Sequence, residues 1–167
     1  MINIAKWTSP DEVFLTDSCL VGCGRVCDDQ YFHAVFPPFI SEQNLDISCL
    51  ELLTIVVALK LWGARWTGLR ITVHCHNDAA VTEVNTGRCR NPFMNSCLRE
   101  ICYFAAFYEF EVCAVHVPGV LNHFADLLSR WDSCSLSAKE QFLQRVQRDH
   151  WQDVPVPDAM FRFYGTF

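Results

Sequence analysis

The chain has 167 residues, 51% of them hydrophobic and 19% charged, with 13 basic and 19 acidic side chains and a net charge of −6. That length suits one domain of roughly 150 residues with a short appendage, and the apolar share supports one sizeable core, which excludes a disordered tail or a collagen-like segment. No uninterrupted apolar run reaches the roughly 18 residues of a membrane span. The N-terminus carries no apolar segment behind its charge, so the sequence predicts a soluble intracellular domain, cytoplasmic or nuclear, without membrane contact.

In chain order, residues 12–17, 22–26 and 31–36 read as three short strands, with Asp28-Asp29 marking one of the tight turns between them. Pro37-Pro38 ends the third strand, because proline cannot donate to a ladder. Residues 48–66 are too long an apolar stretch for a strand and read as a helix. Leu50, Leu53, Val57 and Leu61 lie on one face of it and Leu52, Val56 and Leu59 on another. A helix apolar on nearly all sides is expected to be buried against a sheet.

Residues 69–75 alternate and read as a strand, followed by helix from Asn77. Asn91-Pro92 opens a helix reaching about Glu109, residues 110–117 form the last strand, and Pro118-Gly119 turns the chain into a helix over about 122–131. A further helix is expected near 138–148, then a Pro-containing tail. The order βββαβαβα predicts an α/β domain: a mixed five-stranded sheet with helices on its faces. Residues 1–131 form that domain and 132–167 a C-terminal helical extension and tail.

Ten cysteines would form a disulfide framework in a secreted chain, but the spacings are irregular and no secretion signal accompanies them. Cys49, Cys75, Cys102 and Cys113 sit in apolar runs, where free cysteine acts as a small buried hydrophobe. Cys19, Cys23 and Cys27 are evenly spaced, but in a Gly-rich, strand-like stretch without the CxxC pair of a zinc knuckle.

Four carboxylates stand out. Asp17 ends the first strand, Glu51 interrupts an apolar helix, Asp78 follows the fourth strand, and Asp126 sits beside Phe124, Leu127 and Leu128. Each has an ordinary explanation: Asp17 as a turn residue, Glu51 in a capping box with Ser48, Asp78 as a helix cap, Asp126 as a solvated helix position. Together they point elsewhere. In open α/β sheets the strand ends and adjoining helix N-termini form the binding crevice, and a carboxylate against apolar surroundings protonates or takes a cation. Converging carboxylates suit Mg²⁺ or Mn²⁺, and two such ions about 4 Å apart serve in-line phosphoryl displacement.

The elements Thr16-Asp17-Ser18, Cys49-Leu50-Glu51-Leu52-Leu53, His76-Asn77-Asp78-Ala79-Ala80 and His116-Val117-Pro118-Gly119 through Asn122, Asp126 and Arg130 resemble type 1 ribonuclease H over roughly residues 11–131. The Leu-Glu-Leu-Leu and Val-Pro-Gly-x-x-Asn-x-x-Ala-Asp-x-Leu-Ser-Arg forms are similar to the ribonuclease H domains of retrotransposon polyproteins, particularly DIRS-type elements. The resemblance implies hydrolysis of the RNA strand of RNA–DNA hybrids by two Mg²⁺ ions, with Mn²⁺ as a substitute, beside a tethered reverse transcriptase. It implies that Asp17 bridges both metals, that Glu51 and Asp78 complete the leaving-group metal, and that Asp126 completes the water-activating one. His116 stands at the family's mobile histidine, assisting proton transfer and product release, a role that suits titration near neutrality and a Pro-Gly loop.

Ser48 occupies the place, three residues before the helix glutamate, where the family often has a groove-contacting amide. Arg88 and Arg90, with Arg99, are the nearest basic residues for phosphate contacts, and no basic handle lies between Asp78 and His116. His123 is off the matching position, and His74 and His76 read as partly buried packing residues of a strand. Two other classes compete: an integrase or transposase core, against which the early helix glutamate speaks, and a non-catalytic scaffold, against which the retention of all four carboxylates speaks. Net acidity predicts weak binding of nucleic acid by the chain alone.

Overall fold

The computed structural model describes residues 10–164. β1 (Glu12–Ser18), β2 (Gly22–Cys27) and β3 (Gln30–Val35) form an antiparallel meander. Asp28 turns β2 into β3 at a φ of 51°, a left-handed conformation that aspartate tolerates better than most residues. A short helix not foreseen from the sequence, α1 (Pro38–Ser41), follows Pro37, with Pro38 in the first helical turn where a missing N–H costs nothing. α2 (Ile47–Trp62) continues into a 3₁₀ turn over Gly63–Trp66.

β4 (Arg70–Cys75) and β5 (Glu111–His116) run parallel to β1, linked by α3 (Asp78–Thr86) and α4 (Pro92–Phe107). The chain ends with α5 (His123–Ser129), α6 (Leu136–Asp149) and β6 (Gln152–Asp153). The sheet order is β5-β4-β1-β2-β3-β6, six strands rather than the five expected. β6 has only two residues, too few for alternation to show; backbone bonds from Gln152 to Asp29 and from Val154 to Tyr31 hold it parallel to β3. Beyond it, Phe161 packs edge-on against Phe36 of the main core.

α2 packs on β1 and β2 and is buried on almost every side, as its sequence predicts. The segment Ile47–Trp66 has the length and apolarity of a membrane span, its most apolar 18-residue stretch having a mean hydropathy of 1.8, but 72% of that stretch is buried in this fold. It is the core helix. On the other face of the sheet, Leu127 and Leu128 of α5 meet Tyr31 and Phe142, with Trp131 and Trp151 around them. The ten cysteines are all free, and Cys102, expected inside an apolar run, is exposed. Its helix, α4, is buried only along the stripe carrying Cys97, Leu98, Ile101 and Phe104.

Two glycines set the height of α5 above the sheet. A Cβ on Gly24 would stand 2.7 Å from the Ser129 nitrogen, and one on Gly22 would stand 2.9 Å from the Ser129 oxygen. Only a bare backbone admits the helix that close. The next residue after Gly24, Arg25, is fully buried, its guanidinium over Phe14 and near Trp62 and Trp66, with no hydrogen-bond partner among the described residues.

Candidate active site

Parallel pairing brings several chemically active residues to one edge of the sheet. β1 and β4 pair Leu15 with His74, so two residues further on Asp17 comes beside His76. β4 and β5 pair Cys75 with His116. The N-termini of α2 and α3 open at this edge, where strand ends leave a crevice.

Asp17 is 1% exposed. Its Oδ2 accepts a hydrogen bond from Ser129 Oγ at 2.8 Å. Its Oδ1 has no hydrogen-bond donor among the described residues, although His76 Nδ1 lies 2.8 Å away. Glu51, in the second turn of α2, is completely buried; Oε1 accepts from the Ser18 N–H at 3.3 Å, and Cys75 Sγ donates to Oε2 at 3.7 Å. Burial pushes the Asp17 carboxyl up to about 6, opposed by the Ser129 hydrogen bond and His76 and reinforced by the charge of Asp126. Burial, then the charge of Asp17, pushes Glu51 up to about 8. The charge of Asp17 thus opposes ionisation of Glu51, which has no cation of its own beside it.

Neither expected cap forms. Asp46 caps α2 by accepting from the Cys49 N–H at 3.0 Å, so Ser48 and Glu51 make no capping box and Glu51 is free to turn inward. Asn77, not Asp78, caps α3, accepting from the Ala80 N–H at 2.9 Å. Half-buried Ser48 bonds Asn77 through its hydroxyl, with Asn77 Nδ2 donating at 3.3 Å.

Of the four carboxylates, Asp17 and Glu51 come together, and Asp126 lies near enough for its charge to act on Asp17. Asp126 is half-exposed and paired with Arg130 Nε at 3.0 Å. Asp78 is 85% exposed, its carboxylate 3.7 Å from His116 Nε2 and outside the tight Asp17–Glu51 cluster. His116 Nε2 also lies 3.1 Å from the His76 carbonyl oxygen; that oxygen only accepts, so Nε2 carries the proton. Arg88 and Arg90 are exposed in the loop between α3 and α4, and Arg99 is exposed on α4.

Three residues gain importance that the sequence reading did not give them. His76, read as packing, is 40% exposed at its side chain and faces Asp17. Ser129 lies three residues after Asp126, the spacing that puts both on one helix face, which was a usable signal. Asn122 donates from Nδ2 to the Thr16 carbonyl at 2.7 Å, tying the start of α5 to β1 beside Asp17.

The donor set fits a hard divalent cation: oxygen atoms from two buried carboxyl groups, one of them bare of hydrogen bonds. No protein-family profile and no curated protein matches the chain. Among solved structures, it is similar to LC11-RNase H1 in complex with RNA/DNA hybrid, with a TM-score of 0.50 and 16% identity over 70% of this chain and 91% of that one. At that identity the likeness shows the fold, a ribonuclease H-like mixed sheet flanked by helices on both faces.

Proposed function

We propose that the chain is a metal-dependent endonuclease hydrolysing the RNA strand of RNA–DNA hybrids. The observation that carries this is the buried Asp17–Glu51 pair, with Asp17 Oδ1 lacking a donor, at the strand-end crevice of a ribonuclease H-like sheet. The hybrid bound by the solved neighbour supports the substrate class.

Asp17 and Glu51 would hold a divalent ion, Mg²⁺ with Mn²⁺ as a substitute, and Asp126 together with Asp78, once turned inward from His116, would complete a second. Such ions, when bound, activate water and neutralise charge developing on the leaving oxygen. The chain's own residues orient and protect that chemistry. Ser129 fixes the Asp17 carboxyl, the Ser18 N–H fixes Glu51, and both carboxyls are buried. His116, exposed at the mouth beside Asp78, holds a proton on Nε2 and can pass it to solvent or product. Arg88 and Arg90 offer phosphate contacts. Ser48, which accepts from Asn77 Nδ2, keeps its own O–H to donate to a 2′-hydroxyl.

The motif forms resembling retrotransposon polyproteins support a role in retroelement reverse transcription, inside the cell and tethered to a reverse transcriptase. One observation favours a non-catalytic interaction domain instead: the outward carboxylate of Asp78. Incubation of a labelled hybrid with Mg²⁺ or Mn²⁺ separates the two. Wild type cuts the RNA strand, and Asp17→Asn does not while melting at or above the wild-type temperature. Absence of cutting by wild type in both metals supports the interaction domain, and cutting by Asp17→Asn or in excess chelator overturns the metal-site reading.

A further inference from the structure

We propose that His76 is a nitrogen ligand for the metal at Asp17 and Glu51, forming a mixed oxygen–nitrogen site that prefers Mn²⁺ over Mg²⁺. This deepens the reading above and rests on Asp17 and Glu51 being cation ligands.

One donor atom from each of Asp17, Glu51 and His76 lies within 4.8 Å of the others. His76 Nδ1 and Asp17 Oδ1 approach to 2.8 Å, yet Oδ1 receives no hydrogen bond, although its side chain is 99% removed from solvent. A ring nitrogen 2.8 Å from a buried carboxylate oxygen that no hydrogen bond satisfies sets two potential metal-binding atoms at one place. A cation coordinated by both resolves that arrangement.

The position is also held. The His76 carbonyl oxygen accepts from His116 Nε2, and the next residue, Asn77, caps α3, so the backbone carrying the imidazole is tied on both sides. The ring is 40% exposed, which leaves an entry path. Asp78, the residue that the sequence resemblance offers as the third ligand, points instead to His116. His76 therefore takes the third place in the cluster.

The ligand chemistry sets the metal. Mg²⁺ prefers an all-oxygen octahedron and keeps its waters, whereas imidazole suits transition ions, whose affinities for nitrogen-containing sites exceed that of Mg²⁺. Adding one nitrogen to two carboxylates raises Mn²⁺ affinity and does little for Mg²⁺.

The test uses the full chain, freed of metal, and reads binding rather than cleavage. Calorimetric titration of wild type is expected to show Mn²⁺ binding at least tenfold tighter than Mg²⁺. In His76→Gln the Mn²⁺ affinity falls about tenfold or more while the Mg²⁺ affinity stays within about twofold. Pulsed electron paramagnetic resonance of Mn²⁺-loaded wild type is expected to show coupling to a ring nitrogen, absent from His76→Gln; this reading on wild type holds even if the variant folds poorly. Mn²⁺ binding that Asp17→Asn abolishes, but without nitrogen coupling in wild type, overturns His76 as a ligand and leaves the carboxylate site standing. Mn²⁺ binding that Asp17→Asn leaves unchanged overturns both.

Discussion

Ser129 Oγ lies 2.8 Å from Asp17 Oδ2 and 2.8 Å from the Asp126 carbonyl oxygen. A hydroxyl has one proton, so it donates to Asp17 when that carboxyl is ionised and to the carbonyl when Asp17 is protonated. The bond to Asp17 draws its carboxyl downward against burial. Ser129→Ala is expected to let Asp17 titrate higher, to move the acid limb of the pH–rate profile for hybrid cleavage upward, and to slow turnover roughly tenfold near neutrality, the scale of a hydrogen bond to a charged group. Ser129→Thr should restore the profile. An acid limb unchanged in Ser129→Ala would show that this bond does not tune Asp17.

Metal-free stability should fall as pH rises. Asp17 and Glu51 titrate near about 6 and about 8 in the folded chain, above their ordinary values of 3.8 and 4.5. The folded state therefore holds more protons than the unfolded state between those limits. That contribution is fully present below the ordinary values and is lost as pH passes through about 6 and then about 8. Thermal melts in chelator should show Tm declining over this window, with Asp17→Asn flattening the decline. Mn²⁺ or Mg²⁺ should recover Tm most at the alkaline end, because the ion binds the folded state's ionised carboxylates.

Gly24→Ala should unseat α5. The added methyl would meet Leu128 and the Ser129 backbone, which cannot rotate away as a long side chain can. Overpacking of this kind costs about 2–3 kcal/mol, and Tm should drop by several degrees. Cleavage measured well below Tm should fall more than the folded fraction does, because Ser129 and Asp126 shift with their helix. Equal losses would separate the α5 seat from the chemistry.

Arg25→Met should raise Tm. Burial lowers the affinity of the Arg25 guanidinium for its proton, but arginine stays charged, so the desolvation falls on stability. Methionine fills much of the same space against Phe14, Trp62 and Trp66 without a charge to desolvate. A lower Tm would show that stacking on the aromatic rings outweighs desolvation.

The isolated chain should bind hybrid weakly. It carries a net charge of −6, and its exposed basic residues near the α3–α4 loop are Arg88, Arg90 and Arg99. Affinity should be micromolar or weaker at physiological salt, and binding should depend on salt with a slope of about −3 or shallower. Grafting a basic loop between Arg88 and Asn95, or fusing a hybrid-binding neighbour, should lower KM with little change in kcat. Nanomolar binding by the isolated chain in physiological salt would count against this.

Much of the fold was legible because the signals are local. Pro37-Pro38 stops β3, Asp28-Asp29 turns the meander, and nearly unbroken apolarity marks α2 as the core helix. The order of Asp17, Glu51, Asp78 and Asp126 along that frame likewise marked the edge where a site would form. What the chain order does not contain is which atoms meet there. β6 needs β3 already in place, because it is held by backbone bonds from Gln152 to Asp29 and from the following Val154 to Tyr31. Asp78 turns outward because Asn77 takes the cap, and His76 faces Asp17 because β4 lies parallel to β1 in a register that aligns their ends. Ser129 reaches Asp17 across 112 residues of chain. It does so because two glycines let α5 settle on bare backbone. Residue type and local periodicity determine which elements form; the approach of side chains distant in sequence is decided only when those elements pack.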